Sequence, residues 1–99
     1  MDKEASRVLP GYGSEDAIYP AALERVRLVI AWYSARIREE GQAAHLDCER
    51  LAQLEAGRRV ALADRRLLDR CDEETIRRLH REYGELYLRL RNEEASRDS

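Results

Sequence analysis

Apolar residues recur at a 3-4-3-4 spacing in two long segments of the chain. Leu23, Val26, Ile30, Tyr33 and Ile37 make one series, and Ile76, Leu79, Tyr83, Leu86 and Leu90 make the other. At about 3.6 residues per turn, each series draws a narrow stripe down one side of a helix, the seam geometry of bundles and coiled coils. Between them, Leu54, Ala61 and Leu68 hold a heptad line, with Leu51 and Leu62 to one side of it. No segment alternates with the period of two that a half-buried strand needs. The spacing predicts an all-α chain, with helices at about 20–43, 48–70 and 73–92. Short connections make successive helices antiparallel neighbours, giving a three-helix antiparallel bundle or a helical hairpin plus a helix.

The punctuation between the stripes agrees with this division. Pro20 suits a first helical turn, where its missing N–H costs nothing. Gly41 follows the end of the first stripe and is a place for the helix to fray or stop. Asp47 and Asp72 are good N-caps, since each carboxylate can accept the free N–H groups of the turn that follows. Leu46 with Leu51, and Cys71 with Ile76, have the spacing of hydrophobic staples across those caps. Residues 1–18 are polar, carry Pro10 and the Gly11-Tyr12-Gly13 turn, and read as a flexible arm. Residues 19–92 form the helical domain, and 93–99 are expected to fray.

Size narrows the picture. The 99-residue chain has no Phe, one Trp and five Tyr, so Leu, Ile, Val and Ala must build the core. A thin core in one small domain is expected to be completed by oligomerisation or by a partner. Charged residues make up 38% of the chain but leave a net charge of only −2, which gives little general pull towards nucleic acid or an anionic membrane. Lys3 is the only lysine in an otherwise arginine-rich set of bases. No apolar run approaches the roughly 18 residues of a membrane span, and no signal-peptide core is seen at the amino terminus. A cytoplasmic protein is the expectation.

The first helix carries a second apolar strip. Leu28 and Trp32 lie one turn apart, flanked by Ala21 and Ala35, on the side roughly opposite the Leu23–Ile37 stripe. Indoles are enriched at the centres of interfaces, and exposed apolar strips mark such sites. Leu28, Trp32, Ala35 and, on the third helix, Leu88 are therefore the expected interface residues. The competing expectation makes the first helix central, covered on both sides by the other two. The function this supports is a non-enzymatic module for protein–protein interaction or oligomerisation, acting through apolar helix faces on itself or on another protein.

Chemistry-bearing patterns are few. Arg58 and Arg65 fall at the border of the apolar side of the second helix, where an arginine can lay its stem on apolar surface and keep its head wet. Each can also pair with Glu40, at the end of the first stripe, or hold an anion. Length and three-helix layout are loosely similar to the helical chorismate mutases. That resemblance implies intertwined dimers holding a dianionic substrate with arginines, for which Arg58 and Arg65 would be the carboxylate clamps. The internal lysine of that pattern is missing, which leaves the likeness architectural.

A small DNA-binding regulator is a further alternative, through Arg77, Arg78 and Arg81 on the third helix. Asp72, Glu73 and Glu74 at that helix's start would repel phosphates, so nucleic acid is not the expected partner. Cys48 and Cys71 sit about 35 Å apart at opposite ends of the second helix, beyond disulfide reach. His45, Asp47 and Cys48 lack a second half with ligand spacing, so no metal or cofactor is expected. His80 flanks the third stripe as a boundary residue. Tyr33 and Tyr83 lie within their stripes, each with a hydroxyl that needs a partner. Gly84, costly by about 1 kcal/mol inside a helix, fits a close helix crossing.

Overall fold

The computed structural model describes residues 17–98, with side chains described up to Ser96, and these residues form three helices: α1 (Ile18–Gly41), α2 (Cys48–Leu68) and α3 (Glu73–Asp98). The all-helical bundle expected from the stripes is the architecture observed, and no strand occurs among the described residues. Of the expected amino-terminal arm, residues 1–16 lie outside the described part. Ala17 and Ile18 do not belong to an arm: Ala17 is the N-cap, its carbonyl accepts the Ala21 N–H at 3.2 Å, and α1 starts two residues before Pro20.

Both aspartates cap as the sequence predicts. Asp47 Oδ1 accepts the Arg50 N–H at 3.1 Å, and Asp72 Oδ1 accepts the Thr75 N–H at 2.9 Å. Bonds from Thr75 hold the Asp72 carboxyl below its ordinary pKa, because they favour the charged form. The two staples differ. Cys71 and Ile76 pack against the core, whereas Leu46 stays 54% exposed and leaves its staple open.

α1 is the central helix. The pairs Tyr19–Asp69 and Ser34–Arg58, and the seating of Tyr33 on Gly57, fix α1 and α2 antiparallel. On its other side Arg25 meets His80, while Trp32 and Arg36 meet Glu94, so α1 and α3 run parallel. α2 and α3 meet more sparsely, through side chains such as Tyr83–Asp64 and Arg50–Glu93. The core is built from Val26, Leu79, Tyr83 and Leu90 of the two long stripes, all of Leu54, Ala61 and Leu68, Trp32 of the second strip on α1, and Ala22 and Val29, which belong to neither. Ala22, Val29 and Trp32 are buried because α1 is covered on two flanks; one stripe serves α2 and a neighbouring line serves α3.

The ends of the helices shift for identifiable reasons. α1 stops at Gly41, where the Gln42 N–H closes onto the Glu39 and Glu40 carbonyls. α2 stops at Leu68 rather than near 70, with Asp69 as its C-cap. α3 continues to Asp98 instead of fraying after Asn92. Its last turns are anchored, since Glu94 accepts the Trp32 indole N–H and faces Arg36, and Glu93 faces Arg50.

Candidate interaction surface

Two positions, one on α2 and one on α3, are built around a missing side chain. On the α2 side, the Tyr33 ring fills the notch over Gly57, and a Cβ there would sit 2.5 Å from the ring carbon Cζ. On the α3 side, the Arg25 guanidinium lies over Gly84, where any Cβ would overlap it, and donates to the His80 carbonyl at 2.8 Å. The position at Gly84, where a close helix crossing was expected, is filled by the Arg25 guanidinium and not by a helix backbone. The role of Gly57 escaped the sequence reading; its position facing the Tyr33 turn in an antiparallel hairpin is the signal that would have shown it.

Above Gly84 the α1–α3 seam opens into a groove of about 540 Å³, lined by Arg25, Leu28, His80, Arg81, Tyr87 and Leu88 among others. Leu28 is 36% exposed and Leu88 is 65% exposed, one on each wall. Burial and the Arg25 charge push the His80 imidazole below its ordinary pKa, which favours its neutral form. Arg81 has no ion-pair partner among the described residues.

The expected interface set is split by this geometry. Leu28 and Leu88 come together at the groove, and Ala35 is half-buried two turns along α1 from Leu28. Trp32 does not lie on an exposed strip: it is 8% exposed, set edge-on to Tyr33 at 5.4 Å with Arg36 stacked 5.5 Å above it, and its indole N–H is taken by Glu94 at 3.3 Å. The competing expectation, of a central first helix, holds at this position. Trp32 sits about 120° from Val26 around the helix, which brings it onto the α3 flank, while Leu28 lies one step further round and stays outside.

Arg58, Arg65 and Glu40 do not form one cluster. In the hairpin register set by Tyr19–Asp69 and Ser34–Arg58, position 40 lies across from about position 50. Arg58 is then about 12 Å further along α2 and Arg65 about 22 Å, so neither lies level with Glu40 in the hairpin. Arg58 instead reaches Ser34 Oγ at 3.4 Å. The shallow depression at Arg58 is lined by Glu55, Arg58, Arg59 and Leu62 and does not include Arg65.

The remaining polar candidates are committed to structure. Tyr83 donates to Asp64 at 2.6 Å, and burial followed by that bond pushes its phenol well above its ordinary pKa. Tyr19 donates to Asp69 at 2.5 Å, and that bond raises its phenol too. Burial, then the Glu93 charge, raises Tyr33. Arg77 is paired with Glu73 at 2.6 Å and Arg78 with Glu82 at 3.3 Å. Among the described residues no three His, Cys, Asp or Glu gather where they could hold a metal ion, and no helix is long and apolar enough to cross a membrane. Comparison with protein-family models, curated proteins and solved structures finds no match to this chain.

Proposed function

We propose that this chain is a non-enzymatic interaction module that self-associates through the outer α1–α3 face, with Leu28 and Leu88 as its anchors. The observation that carries the reading is the pairing of these two exposed leucines across one groove. A single exposed leucine is ordinary on a soluble protein, whereas a shared apolar patch marks an interaction site. Ala31 and Ala35 continue the patch along α1 without bulk, so another helix can approach it closely. A second copy of this chain suits the patch because the protomer's own core is thin. Among the described residues, two of the ten buried apolar ones are alanines, and chains of this size gain stability by association. A cytoplasmic setting goes with the two free thiols placed at either end of α2.

Light scattering over a dilution series tests the reading. The full chain is expected above its monomer mass of 11.5 kDa at high concentration, and Leu88→Glu is expected at 11.5 kDa throughout. Leu88 is exposed and Glu is a good helix former, so this variant should keep the native circular dichroism. A wild-type mass fixed at the monomer value over the whole series would remove the proposal.

A further inference from the structure

We propose that residues 1–16 of this same chain fold back into the α1–α3 groove and compete there with a second copy for Leu28 and Leu88. The segment joins α1 at Ala17. Ala17, Leu28 and Ala35 lie at nearly the same angle around the α1 axis, because eleven residues make about three turns and seven make about two. The chain thus enters the helix on the groove's own side.

Reach is sufficient. Leu28 is about 16 Å along α1 from Ala17, and the eight residues from Leu9 to Ala17 span up to about 26–29 Å when extended. Pro10, Gly11 and Gly13 supply residues suited to reversing the direction of the chain. Val8, Leu9 and Tyr12 are apolar groups of a size to lie against Leu28 and Leu88.

Charge is complementary. The segment carries Asp2, Glu4, Glu15 and Asp16 against Lys3 and Arg7. The groove presents Arg25 and Arg81 against Glu85, and Arg81 has no ion-pair partner among the described residues. The arm is tethered, so its local concentration is high and a second copy must displace it. Self-association then becomes conditional on arm release, an autoinhibitory contact within one protomer.

The test uses the full-length chain with labelled leucine methyl groups, in solutions dilute enough to be monomeric. Val8→Asp together with Leu9→Asp is compared with the wild type. The variant is expected to move the Leu28 and Leu88 methyl resonances and to leave those of Leu46 and Leu62, which are exposed elsewhere, in place. Stationary Leu28 and Leu88 signals, or equal movement at all four leucines, would overturn the arm contact. The same variant is expected to shift half-association to lower protein concentration. Moved methyl signals with an unshifted association midpoint would keep the arm in the groove and remove the second copy from it, which separates this inference from the self-association reading.

Discussion

The two seams of α1 solve one problem in different ways. Each crosses a glycine, and each uses that glycine to admit a large side chain from α1. At Gly57 the guest is the Tyr33 ring, a rigid plate that closes the α1–α2 seam. At Gly84 the guest is the Arg25 guanidinium, a flexible and charged group that leaves the α1–α3 seam open above it. A notch filled by an aromatic ring becomes core, while one filled by a guanidinium becomes the polar floor of a groove. Leu28 and Leu88 border the second notch, so the position of the candidate surface follows from which guest each glycine receives.

The sharpest break in this comparison is at Trp32, which serves the closed part of the α3 seam. Trp32→Ala removes a buried indole and should cost about 3–5 kcal/mol. Urea unfolding should show it as a large drop in midpoint, against little change for Leu88→Glu on the open part of the same seam. A small effect at Trp32 would mean that the indole belongs to the surface after all.

Gly57→Ala comes next. The new Cβ meets the Tyr33 ring, and overpacking of about 1–3 kcal/mol exceeds the roughly 1 kcal/mol that Ala gains over Gly in a helix. A net loss of about 1–2 kcal/mol is expected in thermal or urea unfolding. Pairing the change with Tyr33→Ala should cancel the clash, since no ring remains to be displaced.

These two positions also show where sequence reasoning stops. The stripes, the two aspartate caps and the α2 heptad were legible because each depends on local spacing along one helix. The fate of Trp32 depends on which flank α3 covers, and a 3-4-3-4 pattern does not state the direction of the neighbour. Leu28 and Trp32 are one turn apart, yet the angle between them, about 40°, decides that one is buried and the other exposed. The depth of Glu40 relative to Arg58 and Arg65 was not legible for a related reason: stripe position gives a residue's angle but not its depth in the hairpin, and the register comes from the 42–47 turn. The continuation of α3 past Asn92 required knowing that Glu94 lies level with Trp32, a contact between residues 62 apart in the chain.

A moderate effect is expected where α3 touches α2. Tyr83→Phe removes the hydroxyl bond to Asp64 and should cost about 1 kcal/mol at neutral pH. The pH dependence has a definite sign. The fold raises the Tyr83 phenol above its ordinary value of 10, so it favours the neutral form. The contribution is complete below pH 10 and declines above it, where the unfolded chain ionises first. Stability should therefore fall on the alkaline side, and Tyr83→Phe should flatten that fall. Tyr19 and Tyr33, raised in the same direction, should keep part of it. Chemical denaturation at several pH values between neutral and strongly alkaline checks both statements.

The smallest effect is expected at Gly84, and it separates the two notches most directly. A Cβ there overlaps the Arg25 guanidinium, as one at Gly57 overlaps Tyr33, so geometry alone would rank the two substitutions together. The guest decides otherwise. Arg25 has rotatable bonds and open solvent beside it, so its head can swing away at the loss of one bond to the His80 carbonyl, about 0.5–1.5 kcal/mol. The roughly 1 kcal/mol gained by replacing Gly in a helix offsets that loss. Gly84→Ala should thus leave the unfolding midpoint nearly unchanged while displacing the Arg25 side chain, seen as a shift of the Arg25 Nε–Hε resonance. Equal destabilisation by Gly57→Ala and Gly84→Ala would show that Arg25 is held as rigidly as Tyr33. The α1–α3 seam would then be closed in the same sense as α1–α2, and the groove would lose the adaptable floor on which docking there depends.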